Sequence, residues 1–231
     1  QMMHALKSGK YDLNHTALIM TQTGGGCRAT NYIAFIRKAL KDTNMEQIPV
    51  ISLNLQGMES NPGFKINYKL AKGLLFSAIY GDLLMRVLYR VRPYEKEKGS
   101  ANELYHYWTN KIQENIDNLS YSTFKKNMYA IVKDFDELPI LDIKKPRVGL
   151  VGGILVKFSE EANNHIVDIV ESEGAEAVMP DFLDFFMYCF YNNNFKNDYL
   201  ETKNSTKNLT NFGIKALDFF RKDMRKALRQ S

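Results

Sequence analysis

Apolar positions along the chain change period several times, and each change marks an element. Ala17-Leu18-Ile19-Met20 is an apolar run without alternation, the pattern of a parallel strand covered on both faces. Over residues 28–43 the period becomes helical. Ala29, Tyr32, Ile33, Ile36 and Leu40 share one stripe, and Arg37, Lys38, Lys41 and Asp42 lie opposite. Pro49-Val50-Ile51-Ser52-Leu53-Asn54 predicts a second buried strand, and Ser60-Asn61-Pro62-Gly63 a turn that closes this first β–α–β unit. Residues 1–14 are polar and unpatterned, a poorly ordered lead-in.

The middle of the chain is helical. Residues 68–91 place Ala71, Leu74, Leu75, Ala78, Ile79, Leu83, Val87 and Leu88 at helical spacing until Pro93 ends the run. Gly73 and Gly81 within it predict close packing or a bend. Amphipathic helices over 102–118 and 121–135 follow. Tyr105, Tyr107 and Trp108 fit a core filler better than a ligand wall, and His106 between them reads as a surface histidine.

After Lys144-Lys145-Pro146, the stretch Arg147-Val148-Gly149-Leu150-Val151-Gly152-Gly153 repeats the strand-then-glycine theme. A helix from Ser159, with Glu160 and Glu161 in its first turn, is expected to run to a C-cap at Gly174. Ala175 to Met179 is a further short strand, stopped by Pro180. Asp181 to Tyr191 is an aromatic helix, 192–211 a long polar loop, and 211–230 a last helix. That helix buries Ile214, Leu217, Phe220, Met224 and Leu228 and exposes Arg221, Lys222, Arg225 and Lys226. The expected fold class is α/β: two Rossmann-like β–α–β units with parallel strands, joined by a helical segment. The expected division is 1–66, 67–144 and 145–231.

Composition narrows the function classes. The 231 residues are 45% hydrophobic and 25% charged, ordinary for a globular protein with a sizeable core. No apolar run reaches the ~18 residues that span a membrane, and the N-terminus lacks a signal-peptide core. Gln1 is not an initiator residue, which suggests a piece of a longer protein. Two cysteines make no disulfide framework and point to a reducing cytoplasm. The net charge of +5 comes without any nucleic-acid motif, so no nucleic-acid partner is expected.

The chemistry concentrates in Thr21-Gln22-Thr23-Gly24-Gly25-Gly26-Cys27-Arg28-Ala29-Thr30-Asn31. A strand that ends in glycines and opens a helix gathers unpaired N–H groups where the helix dipole favours negative charge. Cys27 falls at that point beside Arg28, a setting that favours a thiolate ligand or nucleophile. A glycine-rich turn with a small buried cysteine is the alternative. The loop is neither a Walker A sequence nor a dinucleotide fingerprint. Asn54 and Gln56 should lie at the same sheet edge, because ligand sites in open α/β sheets gather at strand carboxyl ends. Metal spacing is weak: no Cys-x-x-Cys occurs, and His4, His15, His106 and His165 lie on unrelated elements. No histidine is placed to serve Cys27 as a base. The carboxylate pairs Asp134/Asp136 and Asp181/Asp184 read as surface positions.

The segment from Met20 to Tyr32, with Ile48 to Asn54 and Asn61-Pro62-Gly63-Phe64, resembles the activase-related proteins of the 2-hydroxyacyl-CoA dehydratase superfamily. Tyr80 to Met85, Arg92 to Glu95, Lys145 to Gly153, Glu173 to Glu176 and Asp184 to Asn192 fit the same family. The similarity covers residues 15–192 and is most specific over Thr21 to Arg28.

The resemblance implies a later part of the dehydratase-like segment in a fusion whose ATPase activator modules precede it. In that family an activator passes a low-potential electron to a cysteine-ligated iron–sulfur cluster, of cubane or double-cubane type. The cluster then reduces an acyl-CoA thioester or another small molecule. Carried over by position, Cys27 is the candidate cluster ligand and Cys189 a second. Thr23, Gly24, Gly25, Gly26, Arg28, Asn31, Asn54 and Gln56 are the candidate cofactor-binding residues. A cubane takes three or four thiolates, so the remaining ligands should lie outside these residues and the chain alone should bind no intact cluster. The activity expected of the whole is a lyase or an ATP-coupled reductase. Two alternatives do without a cluster: a module binding the phosphate or thioester end of a CoA-type ligand, and a docking domain for the ATPase modules using the basic last helix.

Overall fold

The computed structural model describes residues 1–22, 28–54, 61, 64–65, 67–116, 120–199 and 207–230. Among the described residues the fold is mixed α/β, mostly helical, with two small parallel two-stranded sheets. It divides into two compact units, 1–67 and 68–231.

In the first unit, α1 (Met2–Lys7) precedes β1 (Leu18–Gln22), a short 3-10 turn (Arg28–Asn31), α2 (Tyr32–Asp42) and β2 (Val50–Asn54). The expected unpatterned lead-in therefore contains a helix. Its Leu6 is buried with Leu18, Leu40 and Ile48 in one small core, so the stretch is ordered by that contact. β1 and β2 run parallel in register from Leu18 against Val50 to Gln22 against Asn54. On α2, Ile33 and Leu40 are buried and Arg37, Lys38 and Lys41 exposed, as the helical stripe predicts. Burial on both faces of β1 is not found: Leu18 is buried, whereas Ile19 is 44% exposed. Burial alternates along the strand, the pattern of a sheet covered on one face.

The second unit is built on α3 (Tyr68–Val91), which ends in a 3-10 turn (Arg92–Tyr94) with Pro93 in its first positions. α4 (Ser100–Asn115) and α5 (Tyr121–Asp136) pack with α3 around Phe76, Ile79, Tyr80, Leu83, Trp108, Phe124, Met128 and Ile131. Ser120 caps α5 by accepting from the Thr123 N–H at 3.1 Å. Trp108 is in the core, whereas Tyr107 is half exposed. A Cβ at Gly73 or Gly81 would meet nothing within 4 Å. Close packing therefore does not explain these glycines.

β3 (Arg147–Gly149) and β4 (Glu176–Val178) form the second parallel pair. Between them, α6 (Ile154–Phe158) precedes the expected start at Ser159, and the expected single helix is two pieces, α7 (Glu160–Asn163) and α8 (Ile166–Ser172). Asn164 and His165 both take left-handed backbone, φ 56° and 53°, which interrupts the helix between α7 and α8. Gly174, at φ 83°, follows α8 as the C-terminal signal predicts. α9 (Phe182–Tyr199) runs well past the predicted boundary, and α10 (Lys207–Leu228) starts earlier than predicted. Asparagines that look like loop residues lie between these helices: Asn193 donates to Thr210 Oγ1 and Asn194 to Asn211 Oδ1, both at 2.8 Å.

Candidate functional site

The carboxyl ends of β1 and β2 lie side by side at the Gln22–Asn54 pair, as expected of a ligand edge in a parallel sheet. A polar network fixes that edge. The buried Ser52 donates from Oγ to Gln22 Oε1 at 2.7 Å, and Gln22 Nε2 donates to the Thr30 carbonyl at 3.0 Å. One side chain on β1 thus ties the middle of β2 to the turn that opens α2. Asn61 accepts from the Ser52 N–H at 3.2 Å and donates to the Ser52 carbonyl at 2.8 Å, engaging that peptide as a neighbouring strand would.

Arg28 and Asn31 are exposed at the two ends of the 3-10 turn. Asn31 precedes α2 but makes no side-chain capping bond. Thr23, Gly24, Gly25, Gly26, Cys27 and Gln56 lie outside the described residues, as does the side chain of Asn54. Cys189 is exposed on α9, in the second unit. Among the described residues, no group of three or more histidine, cysteine, aspartate or glutamate side chains is placed to hold a metal ion. No helix among them is long and apolar enough to cross a membrane.

Asn61→Ala removes both side-chain bonds to Ser52. Loss of these two hydrogen bonds is expected to cost about 1–2 kcal/mol. Native-state hydrogen exchange at the Ser52 amide checks it, with protection falling roughly tenfold.

The second unit holds ionic groups that the sequence reading missed. Asp181 and Asp184 are not a surface pair: Asp181 is 1% exposed and bonds both Arg86 and Arg221. Arg221, expected on the exposed face of the last helix, is likewise 1% exposed. Its Nη2 donates to Asp181 Oδ2 and Asp184 Oδ1, each at 2.7 Å. Asp82 reaches from the middle of α3 to the start of α9, accepting from the Phe182 and Leu183 N–H groups at 2.6 and 3.0 Å. Burial pushes the Asp82 carboxyl up to about 6, and the negative Asp181 adds to the rise. The two N–H donors and Arg221 oppose it.

A groove of about 640 Å³ is lined by Arg90, Tyr94, Lys144, Lys145, Arg147 and Glu176 beside apolar side chains. Its buried carboxylate, Glu176, already accepts from Arg90 at 2.5 Å, Tyr94 at 2.8 Å and Arg147 at 3.0 Å. This groove is therefore a structural ion-pair site.

No protein-family model, curated protein or solved structure matches the chain.

Proposed function

We propose that the chain is a dehydratase-like module of a protein related to the 2-hydroxyacyl-CoA dehydratases and their activases. Its two small parallel sheets would be Rossmann-like cores within that fold. The observation that carries the reading is the fixed edge at Gln22, Ser52, Asn54 and Asn61. Thr21 and Gln22, which open the segment of strongest resemblance, end β1 at this edge. The partners would be ATPase activator modules, in the same cytoplasmic polypeptide, and an acyl-CoA-type or other small substrate.

The residues present do not fit a complete cluster. The chain has two cysteines, and a cubane takes three or four thiolates. In this reading Cys27 contributes one thiolate, and the others come from outside these 231 residues. Arg28 and the N–H groups at the start of the 3-10 turn would favour the anionic sulfur. No electron-transfer step is assigned to this chain by itself.

A second reading is favoured by the cysteine count and by the polar character of the edge. Here the glycine segment binds the phosphate or thioester end of a CoA-type ligand, and Cys27 is structural. One pair of measurements on the natural polypeptide that contains this chain separates the two. After anaerobic iron–sulfur reconstitution, Cys27→Ser is expected to lower iron content and the visible absorption band. Unchanged iron and absorption would remove the cluster assignment. A rise in melting temperature with CoA that survives Cys27→Ala would support the second reading.

A further inference from the structure

Asp82 on α3, Asp181 and Asp184 at the start of α9, Arg86 on α3 and Arg221 on α10 form one cluster that joins three helices. Three carboxylates meet two guanidiniums. Asp82, Asp181 and Arg221 are each at most 2% exposed, whereas Arg86 and Asp184 are partly open to water. With every group ionised, the cluster carries one uncompensated negative charge, and its most enclosed part holds two carboxylates for one cation. An uncompensated buried charge is costly, and a bound proton removes it. A protonated Asp82 still offers a carbonyl oxygen to the N–H groups that open α9.

Several other charged groups on the packed elements have partners inside this unit. Glu176 of β4 is held by Arg90, Arg147 and Tyr94. Tyr121 and Lys125 of α5 both contact Asp223 of α10. Asp134 of α5 accepts from Trp108 of α4 at 3.0 Å, and Arg92 pairs with Glu171 and Asp168 of α8.

We propose that this cluster is a proton-linked latch, which holds the start of α9 on α3 and α10 more firmly in mildly acidic than in neutral solution. The elevation of Asp82 to about 6 agrees with the charge count. Its folded value lies above the ordinary 3.8, so the folded chain keeps a proton that the unfolded chain has lost. The stabilisation is fully present below pH 4 and is lost as pH rises through 6.

Urea unfolding followed by the emission of Trp108, the chain's one tryptophan, tests this in wild type and Asp82→Asn. The folding constant of wild type relative to the variant is expected to fall about tenfold or more from pH 4.5 to 7.5. A ratio that stays constant with pH overturns the latch. A titration of wild type alone, read at the Asp82 carboxyl carbon by NMR, keeps the test open if the variant does not fold. A midpoint near 6 is expected, and one at or below 4 overturns the proposal. Asp181→Asn restores charge balance and is expected to lower that midpoint, whereas a rise would contradict the charge count.

Discussion

Arg221→Met is expected to destabilise the second unit by about 3 kcal/mol, near the lower end of the cost of breaking a buried ion pair. The guanidinium bonds two carboxylates, and one of them, Asp181, is 1% exposed. Removing it leaves Asp181 with Arg86 as its cation and strips Asp184 of its partner. Two effects temper the loss. Arg86 still compensates Asp181, and the Arg221 Nε and Nη1 groups, buried without protein partners, are no longer enclosed. Each such orphaned donor is itself unfavourable by about 1–3 kcal/mol unless water reaches it. The cost should therefore stay well below 5 kcal/mol. Urea unfolding followed at Trp108 measures it. Adding Asp181→Asn to Arg221→Met should recover part of the loss, because without Arg221 the cluster holds three carboxylates for one cation and the second change removes one of them. If the double variant is less stable than the sum of the single effects, the charge account is wrong.

Arg221 also shows where the sequence was legible and was misread. Ile214, Leu217, Met224 and Leu228 recur at spacings of three, seven and four, and position 221 splits the gap of seven into four and three, inside that stripe. The period places residue 221 on the buried face, but its charge argued for the surface. Lys222, Arg225 and Lys226 do lie exposed. The same conflict occurs at Asp82, a carboxylate among Ile79, Tyr80, Leu83 and Leu84 of α3. A charge at a core position of a helix signals a buried partner. Nothing local shows that the partners come from residues 181–184 and 221.

The first unit was legible at the level of elements, because a non-alternating apolar run, a helical stripe and a second run leave few arrangements. Gln22 and Asn54 are the final residues of paired strands, whereas Gln56 and the glycine loop expected beside them lie outside the described residues. The bridge from Asn61 to Ser52 was not legible, because it depends on a turn residue reaching back nine positions to a strand peptide. The break at Asn164 and His165 was equally hidden: neither is a glycine, yet both take positive φ. Cys27 and the glycines beside it lie outside the described residues, so the resemblance and the surrounding network carry that part of the reading.

Phe124→Ala should be the most damaging single change in the second unit, with an expected loss of about 3–5 kcal/mol. The ring is fully buried. It stacks on Phe76 of α3 at a centroid distance of 3.9 Å and 9° between planes, and meets Tyr80 edge-on at 4.9 Å. Tyr121, which touches the same ring, also stacks on Phe219 of α10. Truncation would open a cavity between three helices. It would also remove aromatic contacts worth about 0.5–1.5 kcal/mol per pair beyond area burial. Stiff neighbouring rings and the Tyr80 hydroxyl, held on the Phe124 carbonyl at 3.3 Å, limit how far the site collapses, which favours the upper part of the range. Phe124→Leu keeps most of the volume and should lose about 1–2 kcal/mol. Because α3 also carries Asp82, Arg86 and Arg90, the damage should reach the ion-pair cluster and the β4 carboxylate Glu176. In Phe124→Ala, amide exchange at the start of α9 should therefore speed up together with exchange in α5. If α5 loosens while the Phe182 and Leu183 amides keep wild-type protection, the aromatic core and the ionic cluster do not share one cooperative unit.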